Sequence, residues 1–486
     1  MSKPLYITTT LPYVNADPHI GFALEIIQAD ALARRARLMG REVFFSTGTD
    51  EHGQKIWEAA QKAGKPIQEY VDYYAGEVQK LKESLNLSND AFIRTTDPHH
   101  IEAAKEMWRR CDASGDIYKK SYKGLYCVGC EAYKSERELE NDHCILHPNI
   151  ELQVIEEENY FFRFSKYEKE LLEYLSRPGV IVPEWRRAEA INFVNGGLED
   201  FSISRDKSRL SWGVPVPGDD SQVMYVWFDA LTDYISTLGW PEDTEGNFAK
   251  FWESGETLQM AGKDQVRFQS LMWQAMLMSA KIKNTDSIFY HGFINSGGQR
   301  MSKSLGNVIS PFELVKKYGT DATRYLLLRH AHPVEDSDIT WEKLDEWYEA
   351  HLVNGLGNLV ARVMKLSESH LQEPVRDPEG IQLDLSKLFQ NFRLDLAMDQ
   401  AWILIQYIDH TITTSEPFKV IKTDREKGIE LIKELVRDLY HVAMLLQPFM
   451  PETSKKIEEA ILANKKPENL FPRLAKARGE GGPRLG

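Results

Sequence analysis

The order of strand and helix patterns in the first fifty residues most constrains the fold. Leu5–Thr9 is rich in β-branched and aromatic residues, as in a strand. Apolar residues then recur at helical spacing from Ile20 until Gly40, and Glu42–Thr47 predicts a second strand. Strand, helix and strand in this order form a right-handed crossover between parallel strands. The sequence therefore predicts an α/β domain with a parallel sheet.

Polar residues gather where these two strands end. Open α/β sheets bind ligands just beyond the carboxyl ends of their strands. After the first strand, Asp17–Pro18 predicts a helix start with an acidic cap and a proline at the first helical position. A helix N-terminus suits a polyphosphate, because it offers unpaired N–H groups and a partial positive charge. Gly21 permits close approach to the backbone and His19 adds a donor, although His19 alone is more typical of a buried capping histidine.

A second polar segment lies far along the chain. Arg300–Ser304 carries two cations and two hydroxyls and is bracketed by Gly297–Gly298 and Gly306. Such a loop can close over phosphates and stabilise charge on a pyrophosphate leaving group, or it can be an ordinary solvated loop. Either segment alone is weak. Together they predict a nucleotide site assembled from two halves of one fold.

Composition limits the remaining possibilities. At 486 residues the chain is long enough for two to four domains. A net charge of −14 argues against indiscriminate nucleic-acid binding, although it does not exclude a local basic face. No apolar run reaches membrane-spanning length and no signal peptide is visible, so we expect no membrane partner and a cytoplasmic location.

The pattern changes twice along the chain. From Tyr118 to about Gly218 it is irregular, which suggests an insertion, and after Ile339 it is helical with almost no strand signal. The predicted divisions are the first half of the sheet domain at 1–117, an insertion at 118–221, the second half with the Arg300–Ser304 loop at 222–340, a helical bundle at 341–475 and a disordered tail at 476–486.

The insertion carries a metal-site pattern. Cys127 and Cys130 form one pair and Cys144 and His147 another, a spacing that fits one tetrahedral zinc with three thiolates and one imidazole. The alternative is reduced cysteines without metal in a hairpin. Four protein ligands leave no open position, so the predicted zinc is structural rather than catalytic.

These motifs resemble the two signatures of class I aminoacyl-tRNA synthetases, matched here by Pro18–Gly21 and Arg300–Ser304. Within that class the chain resembles the methionyl-tRNA synthetases from end to end. Supporting stretches, in order, are Leu11–Asn15, Thr47–Gly53, Tyr225–Ala230 and Gly355–Val360. The resemblance implies a Rossmann-like catalytic domain interrupted by a zinc-bearing insertion and followed by an all-α anticodon-binding bundle. It also implies ATP-dependent activation of L-methionine and its transfer to the 3′ end of methionine tRNA, for translation elongation and initiation.

The resemblance assigns roles residue by residue. Catalysis falls to His19, Arg300 and Lys303, and ATP binding to His19, Gly21, Glu25, Asp264 and Lys303. Methionine binding falls to Leu11, Tyr13, Asp50, Trp227, Ala230, Tyr234 and Gln269. Anticodon reading falls to Asn354, Arg362 and Phe418. Aromatic and aliphatic walls suit a thioether, a carboxylate suits the ammonium, and Mg²⁺ would accompany ATP. From the residues alone, Trp227, Tyr234 and Phe418 are equally typical of core packing.

The chain also departs from the family. Phe22 replaces the histidine that ends the first signature, and Arg300 replaces the first lysine of the second. Further departures are Leu231 for a pocket proline, Gln265 and Gln269 for an isoleucine and a histidine, and Phe418 for a tryptophan. Our hypothesis is that the site is rebuilt around Phe22, with His19 and the Arg300–Lys303 segment supplying the phosphate contacts.

Four alternatives remain. Synthetases for leucine, isoleucine or valine carry a large editing domain, for which the insertion leaves little room. A cysteine-specific enzyme would place its zinc in the active site, and a small-molecule adenylyltransferase would not need the helical third. Phe22 favours an RNA-binding paralogue without catalysis, whereas Lys303, Asp50 and Asp264 oppose it.

A monomer is expected, because the appended β-barrel that dimerises some relatives does not follow the bundle.

Overall fold

The computed structural model describes residues 3–130, 132–134, 136–243, 245–301, 306–375 and 385–474. By its internal contacts the chain divides after Phe293 into two compact units, called unit 1 and unit 2 here. The predicted boundary at 340 does not coincide with this division, since the residues from Ile294 onward group with unit 2. The predicted disordered tail at 476–486 and the predicted catalytic Lys303 lie outside the described residues.

The first part of unit 1 alternates strands and helices, as predicted. Its elements are β1 (Leu5–Thr8), α1 (Ile20–Leu38), β2 (Val43–Thr49), α2 (Gln54–Ala63), α3 (Ile67–Gln79), α4 (Leu81–Ser84), β3 (Ala91–Arg94) and α5 (Pro98–Ala113). The predicted helix start at Asp17–Pro18 is two residues too early. His19 keeps an extended backbone and is itself the N-cap, because its Nδ1 accepts a hydrogen bond from the Gly21 N–H at 3.0 Å.

The middle of unit 1 is built from short strands around one long ribbon. Its elements are β4 (Ile117–Cys127), β5 (Ala132–Lys134), β6 (Leu139–Glu140), β7 (His143–Cys144), β8 (Gln153–Phe162), α6 (Glu168–Leu175), β9 (Ile181–Val182), α7 (Glu184–Asn195), β10 (Phe201–Ser202), β11 (Ser204–Asp206), β12 (Pro215–Val216) and β13 (Asp219–Met224). β4 and β8 pair antiparallel along ten residues, from Ile117 opposite Phe162 to Tyr126 opposite Gln153. This ribbon carries the cysteine pairs at its far end.

Unit 1 closes with the strands that complete the main sheet. The remaining elements are α8 (Val226–Ala230), α9 (Asp233–Ser236), β14 (Glu256–Gly262), α10 (Trp273–Ala280) and β15 (Ser287–His291). The sheet has six parallel strands in the order β3-β2-β1-β14-β15-β9. β9 comes from the predicted insertion at 118–221, so this segment contributes one strand, Ile181–Val182, to the main sheet. The α/β class is confirmed.

One buried apolar cluster holds the halves of unit 1 together. It includes Tyr6 from β1, Trp108 from α5, Phe162 from β8, Ile181 from β9 and Trp273 from α10. Because segments from before, within and after the insertion share this core, unit 1 packs as a whole. Because β1, β2, β14 and β15 pair in parallel, their carboxyl ends lie at one edge of the sheet.

Unit 2 is mainly helical. Its elements are β16 (Ile294–Ser296), β17 (Gln299–Arg300), α11 (Pro311–Tyr318), α12 (Thr320–His330), β18 (Ser337–Asp338), α13 (Trp341–Trp347), α14 (Asn358–His370), α15 (Ser386–Gln390), α16 (Leu394–Ser415), α17 (Pro417–Thr423), α18 (Arg425–Leu446) and α19 (Pro451–Ala463). A stretch of π-helix, Tyr348–Gly357, joins α13 to α14. The prediction of a helical C-terminal region is confirmed. Among the helices that the structure describes, none has the length and apolarity needed to span a bilayer.

Candidate functional site

The loops that follow β1 and β2 meet at the carboxyl edge of the sheet. The backbone of Tyr13 forms a parallel bridge with that of Asp50. The Asp50 N–H donates to the Pro12 carbonyl at 3.1 Å, and the Val14 N–H donates to the Asp50 carbonyl at 3.3 Å. Asp50 is only 3% exposed. Two of the predicted methionine-binding residues, Tyr13 and Asp50, are therefore held side by side by backbone hydrogen bonds.

The position of the β2 loop is fixed by an ion pair between a buried carboxylate and a partly exposed arginine. Both carboxylate oxygens of Glu51 accept from the Arg94 guanidinium, at 2.7 and 2.8 Å. The hydroxyls of Thr49 and Thr96 donate to the same carboxylate, each at 2.6 Å. Glu51 is fully buried, so this bidentate, hydrogen-bonded pair is of the kind that holds backbone in place. Asp50 is therefore held in place by the hydrogen bonds of the next residue, Glu51.

An aromatic wall stands beside this loop. The rings of Trp227 and Phe268 stack with centroids 3.9 Å apart, and Tyr13 meets Trp227 edge-on at 6.3 Å. Among the described residues, the buried Nε1 of Trp227 has no hydrogen-bond partner. Edge-to-face and stacked rings form a surface that is apolar on its face and polar at its rim. The sequence did not point to Phe268.

Two further predicted pocket residues contact each other deeper in the fold. The Gln269 side-chain amide donates to the Tyr234 hydroxyl, and both side chains are buried. Burial raises the pKa of the Tyr234 hydroxyl well above its usual range, so the hydroxyl stays protonated. Ala230 is buried at the end of α8, four residues before Tyr234. Leu11 is partly exposed in the loop that follows β1.

The predicted ATP ligand Glu25 belongs to an internal network. One carboxylate oxygen accepts from the Thr10 N–H at 2.6 Å and the Thr10 hydroxyl at 2.7 Å, and the other lies 2.6 Å from the His291 Nε2. The His291 Nδ1 lies 2.8 Å from the Gly292 carbonyl. Burial opposes charge on His291, but Glu25 outweighs it and raises the pKa of the imidazole. Each ring nitrogen of His291, at the end of β15, thus faces an oxygen, an arrangement that favours the imidazolium and that sequence reasoning missed.

The start of α1 presents the residues of the first signature. The His19 ring is accessible to solvent, while the surrounding protein disfavours its charged form and lowers its pKa. Its Nδ1 accepts a hydrogen bond from the Gly21 N–H, so Nε2 is the ring nitrogen that carries the proton in the neutral imidazole. Phe22 is partly buried. Asp264 is exposed after β14, with the Gln265 amide donating to it at 3.3 Å.

The second signature is described only up to Met301. Arg300 ends β17 and pairs with Asn295 of β16 across a turn in which Gly297 and Gly298 have φ values of 65° and 74°, a region that favours glycine. The Asn307 amide donates to the Arg300 carbonyl at 3.2 Å. These contacts hold both ends of the segment that contains Ser302–Leu305, which lies outside the described residues.

The four predicted metal ligands converge. The ligand atoms of Cys127, Cys130, Cys144 and His147 all lie within 4.8 Å of one another. The Cys130 Sγ is 3.2 Å from the His147 Nδ1 and 3.5 Å from the Cys144 Sγ. Tetrahedral zinc with thiolate and imidazole ligands separates its ligand atoms by about 3.5–3.8 Å. The donor set and its spacing fit one zinc ion.

Gly129 is part of this cluster without being a ligand. It lies between Cys127 and Cys130, and a Cβ atom there would come 2.6 Å from the His147 Cγ. Contacts this short do not occur in folded proteins, so any side chain at Gly129 would displace the imidazole.

The predicted anticodon residues lie on unit 2. Phe418 on α17 is 41% exposed. Arg362 on α14 pairs with Asp409 on α16, and the exposed Asn354 accepts from the Arg473 guanidinium at 2.9 Å.

A further charged group lies under the aromatic wall. The Asp229 carboxylate is 1% exposed and contacts the His52 Nδ1 at 2.6 Å and the His100 Nε2 at 2.8 Å. The motif Tyr225–Ala230 contains Asp229, but sequence reasoning gave it no role. The available signal was an acidic residue inside an otherwise apolar segment.

Comparison with known proteins identifies the relatives of this chain. The family described as tRNA synthetases class I (M) matches residues 5–145 and 134–364. The methionine–tRNA ligase of Rhizobium meliloti (strain 1021) is 40% identical over 478 residues, covering 95% of this chain and 92% of that protein. The methionine–tRNA ligase of Thermotoga maritima is 38% identical over 484 residues, covering 95% of this chain and 76% of that protein.

Solved structures give the same picture. Mycobacterium tuberculosis methionyl-tRNA synthetase in complex with methionyl-adenylate superposes with a TM-score of 0.87 at 36% identity, covering 98% of each chain. The apo form of the same synthetase superposes with a TM-score of 0.81 at 33% identity, covering 98% of this chain and 99% of that one.

Proposed function

The chain belongs to the methionine–tRNA ligase family of class I tRNA synthetases, and from that premise we propose that it activates L-methionine with ATP and esterifies methionine tRNA. The charged tRNA would serve translation initiation and elongation. The observation that carries the proposal is the pairing of a buried carboxylate with an aromatic wall at the carboxyl edge of a parallel sheet.

Methionine binding uses the two sides of that pairing. The substrate ammonium binds the Asp50 carboxylate, whose burial strengthens the attraction. The thioether lies against Tyr13 and Trp227, because a polarizable sulfur packs well beside aromatic rings. Leu11, Ala230, Tyr234 and Gln269 complete the set of contacts carried over from the family.

ATP binding uses the start of α1. The phosphates lie near the helix start at Gly21 and near the Nε2 of His19, which carries the ring proton because Nδ1 accepts from the Gly21 N–H. Asp264 contacts the ribose. Glu25 lies near the adenine, where its hydrogen bonds to Thr10 and His291 hold it in place. Magnesium accompanies ATP and is held mostly by the phosphates.

The chemistry needs no protein nucleophile. A carboxylate oxygen of methionine attacks the α-phosphorus in line, the bond to the β-phosphate oxygen breaks, and pyrophosphate leaves with the charge. Arg300 and Lys303 stabilise that charge. A hydroxyl of the terminal tRNA ribose then attacks the methionyl carbonyl and AMP leaves. Positioning and charge stabilisation supply the rate.

The remaining parts serve structure and recognition. One zinc held by Cys127, Cys130, Cys144 and His147 fixes the end of the β4–β8 ribbon. Asn354, Arg362 and Phe418 read the anticodon, with Phe418 stacking on an unpaired base. The protein acts as a monomer in the cytoplasm, for which light scattering should return the mass of one chain.

A methionine-dependent ATP–pyrophosphate exchange assay tests the proposal. We expect exchange with methionine and none with leucine, isoleucine, valine or cysteine. Asp50→Asn should abolish saturation by methionine, whereas Asp112→Asn, an exposed carboxylate on α5, should not change it. Exchange driven by another amino acid, or no exchange at all, would contradict the proposal.

A further inference from the structure

Asp229 is an ionised carboxylate in the core of unit 1. Burial opposes its charge, but His52 and His100 outweigh this effect and bring the pKa of the carboxyl below its usual value. Each oxygen has its own imidazole, at 2.6 Å for His52 and 2.8 Å for His100. A buried carboxylate with two donors is satisfied at both oxygens, and its removal leaves two ring nitrogens to find new partners.

One side of this group is anchored in the helices. His100 is fully buried on α5, and its Nδ1 lies 2.9 Å from the Ser236 hydroxyl on α9. With Nδ1 engaged by a hydroxyl, its Nε2 is the nitrogen that donates to Asp229. His100 therefore gives Asp229 a fixed partner.

The other side reaches the loop that carries Asp50. His52 follows Asp50 by two residues, and its backbone N–H donates to the Asp50 carboxylate at 3.4 Å. Its ring also meets Trp212 edge-on at 5.4 Å, and the Trp212 indole N–H donates to the Glu51 carbonyl at 2.7 Å. The contact between His52 and Asp229 thus fixes the residue whose N–H orients Asp50.

Asp229 itself belongs to the aromatic wall. It lies in the helix α8, two residues after Trp227 and one before Ala230. One carboxylate therefore joins the loop bearing the ammonium ligand to the helix bearing the thioether wall. Methionine has to reach both at once, so the separation of these two walls decides how well it fits.

We propose that Asp229 is a positioning residue for the amino-acid substrate, which sets the distance between the Asp50 carboxylate and the Trp227 ring. The inference rests on the proposed function, in which Asp50 and Trp227 bind the two ends of methionine. A misplacement of about 1 Å between reacting or binding groups can cost about a hundredfold in rate. Asp229 does not touch the substrate in this role and acts through His52.

The test compares Asp229→Asn with Asp116→Asn in the full-length protein. Asparagine matches aspartate in shape but has one acceptor oxygen instead of two, so one imidazole loses the acceptor for its N–H. Asp116 is an equally buried carboxylate in unit 1, bound by Lys166 at 2.6 Å and Ser279 at 2.8 Å away from the pocket. Both variants should lose thermal stability, which controls for burial.

The expected results differ in substrate dependence. In ATP–pyrophosphate exchange, Asp229→Asn should raise the KM for methionine about tenfold and leave the KM for ATP within about twofold. It should also narrow the preference for methionine over the homologue with one more methylene before the sulfur. Asp116→Asn should change neither quantity. If Asp229→Asn does not fold, His52→Gln tests the same contact from the loop side and should give the same two changes.

Four outcomes separate the inference from its premise. If Asp229→Asn and His52→Gln lose stability only, as Asp116→Asn does, Asp229 is an ordinary core ion pair and the inference fails. An equal rise in the KM for both substrates also overturns it. If the wild-type protein shows no methionine-dependent exchange, or Asp50→Asn retains normal methionine saturation, the proposed function fails instead.

Discussion

The carboxyl edge of the sheet and the surface of the helical unit solve different problems with polar side chains. At the edge, charged groups are buried and already bound, as with Asp229 between two imidazoles and Glu25 beside His291. On the helices, Phe418 is exposed and Arg362 pairs with Asp409 on a half-exposed surface. Exposed ion pairs contribute little to stability, whereas buried ones fix geometry at a cost in desolvation.

Under the proposed function, this difference follows the division between chemistry in unit 1 and tRNA recognition on the helices. A small substrate gains most from groups that are in place before it arrives, because no ordering is needed at the moment of reaction. A large partner can order exposed side chains as it binds. We therefore expect changes inside unit 1 to alter metal content, fold stability or activation, and changes on the helical surface to alter tRNA use alone.

The largest effect is expected at the cysteine cluster. Cys144→Ser should reduce the zinc content from about one equivalent per chain to under a tenth, because a hydroxyl is a poor ligand at neutral pH. Elemental analysis after purification without chelator measures it, with Cys111→Ser as the buried, non-ligand control. Full metal content in Cys144→Ser would show that the four-ligand assignment is wrong.

The second prediction concerns the activation step. Lys303→Ala should lower the rate of adenylate formation by roughly 10²–10³, the scale for one preorganised charge-stabilising group, with the affinity for methionine unchanged. Single-turnover quench-flow measures the rate, and Lys316→Ala, an exposed lysine on α11, is the control. Weaker methionine binding at an unchanged rate would place Lys303 in the wrong role.

The third prediction uses pH to probe the Glu25–His291 pair. Because Glu25 raises the pKa of His291 above its usual 6.5, the pair stabilises the fold fully below pH 6.5 and less as the pH rises through the raised value. His291→Gln should therefore lower the free energy of unfolding by about 1.5–3 kcal/mol at pH 6 and by less at pH 9. Urea denaturation across this range tests it, with the exposed His410→Gln as control. A pH-independent difference would argue against an imidazolium.

The fourth prediction tests the helical surface. Phe418→Ala should reduce kcat/KM for methionine tRNA about tenfold, within the range for losing one stacked base, and leave pyrophosphate exchange unchanged. Leu462→Ala removes a side chain that is 59% exposed on α19 and should affect neither assay. A fall in the exchange activity of Phe418→Ala would contradict the expectation that the helical surface affects only tRNA use.

The smallest effect is expected at Phe22. A missing donor would be worth about 2–4 kcal/mol, so Phe22→His should accelerate adenylate formation if the phenylalanine were a defect. The Phe22 side chain is partly buried, and an unpartnered imidazole in its place would cost about 1–3 kcal/mol. We expect a gain below tenfold in pre-steady-state assays. A larger gain would favour a chain drifting away from catalysis.

Sequence patterns predicted what is local. The β1–α1–β2 unit and the C-terminal helices follow from apolar periodicity, and the cysteine cluster follows from ligand chemistry and spacing. β9 was not predictable, because two residues carry no periodicity. The start of α1 was misplaced because the capping side chain, His19, is not a common cap.

The buried polar networks were beyond reach for a different reason. Glu25 and His291 are 266 residues apart in the chain, and Asp229 is 129 residues from His100. Neither partner carries a local signal for the other. Phe268 was missed likewise, because an aromatic residue in an apolar helix is most often core.

Gly129 shows how a mutational map of this protein should look. A saturation scan scored for zinc retention would rank position 129 with the ligands, although glycine contributes no donor atom, because its missing side chain is the space that His147 occupies. To transfer the cysteine cluster to another protein, one would need to transfer Gly129 together with the four ligand residues. A sequence search that specifies only the spacing of the ligands would also accept sequences in which a side chain at the glycine position prevents the histidine from binding the ion.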